Sequence, residues 1–243
     1  MNTMELLDIN YIFDNDGIDL LKEIGWNGSI AVQNNEYNKE KFEEIKKYGE
    51  TQDFKVYSGL KIISKSKSPR DITKLVKKYR DKVDVILVGG GDITINRTAL
   101  ETHAVDILSS PERYRMDNGI DHILARLGSS HRVAIELNFK NLLEKQHYDR
   151  AKIIWSFRRN LFLAKKYDTP VVISSSAKNI YGIKAPKDLR SFLNTLTEDI
   201  NYSNKIMDTP YKIANYRTYL KDKSVIRYGI EVFTNKNNEC IEE

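Results

Sequence analysis

Residues 83–101 read VDVILVGGGDITINRTALE, and this stretch contains the structural unit that repeats along the chain. Its apolar run, Val83 to Val88, is rich in β-branched residues and has the composition of a buried strand. Three glycines and an aspartate follow the run, and Arg97 to Glu101 then has helical periodicity. The stretch therefore predicts one strand, a turn and one helix.

The same alternation of strand and helix extends in both directions, which predicts a parallel sheet surrounded by helices. Seven strands are predicted, at Met4 to Ile9, Ser29 to Val32, Lys55 to Ile63, Val83 to Val88, Ala104 to Leu108, Val133 to Leu137 and Val171 to Ile173. Helices are predicted at Asp16 to Ile24, Lys39 to Tyr48, Pro69 to Tyr79, Arg97 to Glu101, Ile120 to Leu127, Tyr148 to Tyr167, Pro186 to Thr195, Ser203 to Met207 and Pro210 to Leu220. Ser68 is a predicted N-cap before Pro69 at the first helical position, and Ala185 leads into Pro186 at the same position of its helix.

Seven evenly spaced strands favour a TIM-barrel-like α/β fold over an open dinucleotide-binding sheet, because no glycine-rich turn follows the first strand. An eighth strand is missing or irregular, and Ser224 to Phe233 is predicted as a peripheral strand. The 243 residues, 40% of them hydrophobic, are enough to bury a core. Since no linker divides the chain, we expect one domain over residues 1–233 and a polar tail over residues 234–243.

Composition narrows the environment and the partners of the chain. Lys and Arg number 39 against 34 Asp and Glu, and the net charge of +5 allows an anionic partner. The single cysteine, Cys240, can form neither an intramolecular disulfide nor a cysteine zinc cluster, which fits a reducing interior. The sequence shows no signal peptide and no stretch of the roughly 20 apolar residues that span a bilayer. We therefore expect a cytoplasmic protein that does not enter a membrane.

The predicted strand ends carry few residues suited to metal chemistry. Metal-dependent hydrolases with a barrel usually place His-x-His or several carboxylates there, whereas this chain has Asp8-Ile9-Asn10 after the first strand. The spacing of the four histidines does not match metal-ligand spacing: His103, His122, His131 and His147. We therefore expect no metal bound by the protein.

Two other predicted strand ends carry residue types that take part in chemistry in other proteins. Ser174 to Ser176 lacks the Gly-x-Ser-x-Gly setting of a hydrolase nucleophile, so a polar strand end is the favoured interpretation. Gly89 to Gly91 could cradle a phosphate through backbone N–H groups or form a tight turn, and the sequence leaves both open. No catalytic residue is assigned from these segments.

The helix predicted at Tyr148 to Tyr167 carries the most informative basic pattern. Lys152, Arg159 and Lys166 are spaced by seven, so at ~100° per residue they drift only ~40° and form a stripe about 20 Å long. A different face of the helix is apolar and contains Ile154, Phe157 and Leu161. A basic stripe of this kind can follow a phosphate backbone.

Several motifs occur in an order that carries a family resemblance. They are Gly89-Gly90-Gly91-Asp92, Asn96-Arg97-x-Ala99-Leu100-Glu101, Val105-Asp106-Ile107-Leu108, Gly119-Ile120-Asp121-His122-Ile123-Leu124-Ala125-Arg126-Leu127, Val133-Ala134-Ile135-Glu136-Leu137-Asn138-Phe139, Phe157-Arg158-Arg159-Asn160, Leu163-Ala164-Lys165-Lys166-Tyr167 and Pro170-Val171-Val172-Ile173-Ser174-Ser175. Together they resemble the archaeal and eukaryotic ribonuclease P protein component 3 family. The first 60 residues and the polar tail match more loosely.

The resemblance implies a barrel similar to phosphoesterases of the polymerase and histidinol phosphatase type, without their metal site. It implies a non-catalytic subunit of an endoribonuclease that removes 5′ leaders from precursor tRNA, with catalysis by the ribonuclease P RNA and its own magnesium. The implied partners are that RNA, protein component 2 in a heterotetramer with two copies of each, other ribonuclease P protein subunits and, indirectly, precursor tRNA. The implied protein binds no cofactor itself.

The candidate RNA contacts come from the matched motifs, the basic stripe and the loop after the last strand. They are Arg97, Arg126, Lys140, Arg158, Arg159, Lys152, Lys166 and Lys178. Asp92, Asp106 and Glu136 are available as internal ion-pair partners for some of these residues. Arg158 lies close to the apolar side of its helix, which favours a structural role for it.

Two alternatives to an accessory RNA-binding subunit remain. A metal-dependent barrel phosphoesterase would depend on Asp8 or Asp92. A protein-interaction scaffold would keep its assembly when Arg97, Arg126 and Arg159 are neutralised.

Overall fold

The computed structural model describes residues 5–64, 66, 68–221, 225–227 and 230–231. The strands are β1 Leu7–Asn10, β2 Gly28–Asn34, β3 Lys55–Ile62, β4 Val85–Gly89, β5 Ile107–Ser109, β6 Ala134–Asn138, β7 Val171–Ser174, β8 Val225–Arg227 and β9 Ile230–Glu231. The α-helices are α1 Asn15–Glu23, α2 Lys39–Thr51, α3 Pro69–Tyr79, α4 Ile93–Glu101, α5 His122–His131, α6 Phe139–Glu144, α7 His147–Tyr167, α8 Pro186–Thr197 and α9 Ile200–Lys221. A short 3-10 helix, Ile180–Gly182, follows β7.

Strands β1 to β7 form one parallel sheet in sequence order, as the strand and helix alternation predicts. The sheet curls into a nearly closed barrel, because the backbone leaving β7 returns to β1. Ser176 N donates to Ile9 O at 3.0 Å, and Tyr11 N donates to Ala177 O at 2.8 Å. These bonds join the first and last strands where an eighth strand would otherwise lie, so the predicted TIM-barrel-like fold is confirmed.

The barrel interior is filled by alternate residues of its strands, since side chains of a strand point to opposite faces in turn. Its apolar core consists of Leu7, Ile9, Ile30, Val32, Val85, Leu87, Ile107, Ala134, Val172 and Ala214. Ala214 belongs to α9, which lies across the amino-terminal end of the barrel. There Tyr57 Oη donates to Asn215 Oδ1 at 3.2 Å. The interior is therefore packed at that end and polar only toward the carboxyl ends of the strands.

Two further apolar clusters join the outer faces of the strands to the surrounding helices. A buried ion pair links the C-cap residue of α3 to the residue before β5: the Arg80 guanidinium contacts Asp106. Arg80 also donates to the carbonyl oxygens of Ala104 at 3.0 Å, Val83 at 3.1 Å and Asp84 at 2.7 Å. Because so many partners surround it, this guanidinium is a fixed structural element.

Capping residues set several helix boundaries that periodicity placed elsewhere. Helix α4 begins at Ile93, ahead of the predicted Arg97, because Asp92 accepts from Thr94 N at 2.9 Å. Helix α5 begins after Asp121, which accepts from Leu124 N at 2.8 Å. Helix α3 begins at Pro69 as predicted, but the Ser68 side chain makes no cap hydrogen bond.

Three predictions about the remaining elements were incomplete or wrong. The predicted break before Pro210 is wrong, since α9 continues through the proline while packing on α8, β7 and β1. Helix α6 was missed, because six residues are too few to show a period. The predicted strand Ser224 to Phe233 is in part the antiparallel pair β8 and β9.

The polar tail and Cys240 lie outside the described residues, as does Met4 at the start of the first predicted strand. The assignment of residues 1–233 to one domain stays a prediction. In the described ranges, none of the helices is long and apolar enough to cross a membrane.

Candidate functional site

The carboxyl end of the barrel holds a group of polar side chains, called here the mouth cluster. Its members are Lys61, Ser109, Glu112, Glu136, Asn138, Asn141, Ser174 and Ser176. Lys61 Nζ donates to Ser109 Oγ at 2.7 Å, and Ser174 Oγ donates to Glu136 Oε1 at 2.6 Å. All members except Asn141 are buried, so a substrate in solution does not reach them in this conformation.

Burial shifts the pKa of two members of the mouth cluster, Glu112 and Lys61. It raises the pKa of Glu112 to about 7, and the nearby charge of Glu136 acts in the same direction. Burial lowers the pKa of Lys61, while Glu136 opposes that shift. Within the described residues, one carboxylate oxygen of Glu112 and one of Glu136 have no hydrogen-bond partner. The cluster therefore contains buried titratable groups that influence one another's ionisation.

Asp8 and Asn10 do not face this cluster. Leu7 and Ile9 point into the barrel interior, so Asp8 and Asn10 point to the opposite face of β1. Asp8 accepts from Ser175 N at 2.9 Å and from the Ser175 hydroxyl, and burial raises its pKa to about 6. The carboxylate thus joins β1 to the segment after β7. The phosphoesterase alternative loses a residue on which it depended.

The glycine run after β4 forms a tight turn. Gly90 N donates to Ser109 O at 2.7 Å, Gly91 N donates to Asn96 Oδ1 at 3.0 Å, and Gly91 has φ +114°. These two N–H groups are already used and do not point at a ligand. Asp92 caps α4, so it too has a structural role. A cleft of about 510 Å³ lies beside the turn, with Arg113 and Arg115 in its lining.

The serines after β7 also have structural partners. Ser174 and Ser176 both donate to Glu136, and Ser175 donates to Asp8. All three are buried. This agrees with the interpretation of the segment as a polar strand end.

Helix α7 presents the most strongly charged surface. It contains six basic residues and one acidic residue, 6 − 1 = +5, which equals the net charge of the whole chain. One side of α7 carries Lys152, Arg159 and Lys166, called here the basic row. This side faces away from the barrel, because Phe157 and Leu161 are buried on the other side. In the described ranges, no ion pair forms between the basic row and a carboxylate within 4.0 Å. Its charges are therefore available to an external anion.

A second row of residues runs beside the basic row. Tyr148, Trp155 and Phe162 are also spaced by seven and are exposed, and they are called here the aromatic row. Each lies four residues before a member of the basic row, which on a helix separates the two rows by ~40°. Sequence reasoning missed this row, although its spacing was visible beside that of the basic row.

The other candidate RNA contacts are distributed over several elements. Arg126 of α5 and Lys166 of α7 both lie over the Tyr167 ring, at 5.1 and 5.5 Å from its centroid, so Arg126 extends the basic row. Arg158 is exposed, and it lies ~100° around the helix from Arg159, between the aromatic row and the buried side of α7. Whether it has a structural or an RNA-binding role stays a prediction.

Three candidates lie apart from the basic row. Arg97 forms an exposed ion pair with Glu101 at 2.7 Å, and Lys140 pairs with Glu144. Lys178 is exposed in the loop after β7. The carboxylates expected as their partners have other roles. Asp92 caps α4 and Asp106 binds Arg80. Glu136 accepts a hydrogen bond from Ser174.

The fold and the charge distribution together define a class: a parallel βα barrel with a buried polar mouth and a cationic helical face. The family model described as RNase P subunit p30 matches residues 12–222, and the chain belongs to that family. Ribonuclease P protein component 3 of Methanococcus maripaludis strain C5 is 62% identical over 228 residues, covering 93% of this chain and 97% of that protein.

Solved structures agree with this assignment. A chain in a cryo-EM structure of archaeal ribonuclease P with mature tRNA has a TM-score of 0.85 and 52% identity, covering 95% of this chain and 99% of that one. A Listeria monocytogenes protein described as a histidinol phosphatase has a TM-score of 0.50 and 11% identity, covering 74% and 96%. The second likeness concerns the fold alone.

Proposed function

We propose that the chain is a protein subunit of ribonuclease P and supports removal of 5′ leaders from precursor tRNA by a catalytic RNA. The observation that carries the proposal is the likeness over 95% of the chain to a chain of archaeal ribonuclease P bound to tRNA. The buried mouth cluster supports it too, because those polar side chains are closed to a substrate in solution. Catalysis is assigned to the RNA and its magnesium, and the protein holds no cofactor of its own.

The basic row is the main RNA contact in this proposal. Lys152, Arg159 and Lys166 project from one side of α7 without internal ion pairs in the described structure, so binding a phosphate costs them no existing salt bridge. Arg126 extends the row, and exposed Arg158 lies on the same helix beyond the aromatic row.

The remaining candidates are expected to contribute less to RNA binding. Arg97 and Lys140 already form ion pairs with Glu101 and Glu144. Each must break this exposed pair before it binds a phosphate, which lowers its contribution to RNA affinity. Lys178 would contact RNA only if the RNA reaches the loop after β7.

Membership of the family supports a proposal about the partners. We propose direct contact with the ribonuclease P RNA and with protein component 2, in a heterotetramer with two copies of each. Other ribonuclease P protein subunits complete the particle, and precursor tRNA is contacted indirectly. We propose that the particle acts in the cytoplasm.

The test is leader removal from a precursor tRNA at low magnesium, using the ribonuclease P RNA and component 2 of the same organism. The reaction is run with and without this protein, and the protein is also tested alone. Stimulation that requires the RNA is the expected result. Cleavage by the protein alone would restore the phosphoesterase alternative, and no effect in any mixture would favour a scaffold.

A further inference from the structure

The aromatic row gives α7 a repeating surface. Tyr148, Trp155 and Phe162 are 72%, 53% and 58% exposed. Successive members lie ~10 Å apart along the helix and rotate by only ~20° per repeat. Since a cation follows each ring after four residues, the helix repeats an aromatic ring and a positive charge three times.

A partner helix is a poor fit to this surface. Helix pairing requires a second apolar position three residues after the first in each heptad. On α7 those positions are Ala151, Arg158 and Lys165. Two of the three are charged, so the aromatic row does not form the apolar seam of a coiled coil.

The charge around the aromatic row favours an anionic occupant with flat apolar faces. Exposed rings next to unpaired cations are the arrangement with which proteins hold unpaired nucleic acid, the rings stacking on bases and the cations binding phosphates. Bases inside an RNA duplex already stack on each other and offer no free face. Unpaired nucleotides match the whole repeat, because their bases can stack on the rings and their phosphates can bind the cations.

We propose that the outer face of α7 stacks on unpaired bases of the RNA that the chain binds, while the basic row holds the adjoining phosphates. This inference rests on the proposed function as an RNA-binding subunit and adds the kind of RNA element that is recognised. The expected target of α7 is a loop, a bulge or a single-stranded joint of the RNA, and not a helical stem.

The loop after β5 extends this surface toward the barrel mouth. Tyr114 and Met116 are highly exposed at its tip, and Lys152 Nζ lies 3.4 Å from Met116 Sδ. Asn96 Nδ2 holds both ends of this loop, because it donates to Pro111 O at 3.1 Å and to Gly119 O at 2.9 Å. An exposed aromatic ring, Tyr114, therefore lies on a fixed loop that also contacts Lys152 of the basic row.

Trp155 provides a direct readout of stacking. The chain has two tryptophans, and Trp26 is buried with its Nε1 donating to Lys184 O at 2.9 Å. A Trp26→Phe variant leaves Trp155 as the single reporter. Its fluorescence is titrated with an unstructured RNA strand of about 24 nucleotides and with an RNA duplex of about 12 base pairs, which carry similar phosphate counts. Quenching by the strand and not by the duplex is expected.

Affinity measurements on the chain with Trp26 intact give a second readout, since Trp26 belongs to the core. Trp155→Ala is expected to weaken strand binding roughly 5- to 100-fold, the loss of about one stacked base, and Trp155→Phe to retain most of the affinity. Tyr181→Ala is the matched control, because Tyr181 is an exposed aromatic residue outside α7 and is expected to leave affinity unchanged.

Two results would overturn the inference in different ways. If strand and duplex bind equally and Trp155→Ala binds like the wild type, while neutralising the basic row removes binding, stacking is wrong and RNA binding stands. If neither RNA binds and Trp155 emission changes only when component 2 is added, α7 is a protein-docking face, and RNA binding through α7 fails as well.

Discussion

Replacing Glu112 with Gln is expected to stabilise the fold at alkaline pH. Burial raises the pKa of Glu112 from 4.5 to about 7, so the neutral carboxyl is favoured inside the barrel. Its stabilising contribution is complete below pH 4.5 and is lost as the pH rises through 7. With ~1.36 kcal/mol per pKa unit, the cost of ionising this buried group grows by about 2.5 kcal/mol between pH 5 and pH 8. Gln at this position carries no charge and avoids that cost.

The assay is urea unfolding of the wild type and Glu112→Gln at pH 5 and pH 8. The difference in unfolding free energy, variant minus wild type, should increase by about 2.5 kcal/mol from pH 5 to pH 8. Glu44→Gln is the control, because Glu44 is exposed in the middle of α2 and its replacement should show little pH dependence. A Glu112→Gln difference that is the same at both pH values would show that burial does not set the ionisation of this carboxyl, and would refute the reasoning.

Three further outcomes are expected. Asp106→Ala leaves the buried Arg80 without its carboxylate and should lower the unfolding free energy in urea by about 3–5 kcal/mol. Glu5→Gln breaks an exposed ion pair and should lower it by under about 1 kcal/mol. Equal losses would mean that the buried ion pair is not needed for stability. Gly119→Ala should lower the melting temperature, because Gly119 has φ +74° and a Cβ would lie 2.0 Å from a backbone carbonyl oxygen; an unchanged temperature would contradict the close approach. Neutralising all three basic-row residues with Gln should reduce the salt dependence of RNA binding by roughly two to three units of log K against log salt, and an unchanged slope would place the phosphate contacts elsewhere.

The barrel could be predicted from sequence because its signal is periodic over the whole chain. Each strand is a short β-branched run, and the helices between the strands repeat an apolar face. The boundaries could not be predicted in the same way, because they depend on single capping contacts such as Asp92 on α4 and Asp121 on α5. Pro210 shows the reverse case: tertiary packing keeps α9 continuous through a residue that locally disfavours a helix.

The candidate site was predictable to the extent that one helix determines it. The seven-residue spacing alone predicts that Lys152, Arg159 and Lys166 lie on one side of α7. Pattern alone could not show that Arg97 pairs with Glu101, because an i,i+4 pair and a phosphate contact require the same exposed arginine. Nor could it show which face of β1 carries Asp8, since that depends on the direction in which the barrel closes.

The most direct test of the account compares wild type with the basic-row variant in reconstituted leader removal at low magnesium, over a range of salt concentrations. The account predicts that the wild type stimulates the RNA, that the variant loses this stimulation at moderate salt, and that lowering the salt restores part of it. A variant that stimulates as well as the wild type at every salt concentration would contradict the claim that this chain acts on ribonuclease P RNA through α7.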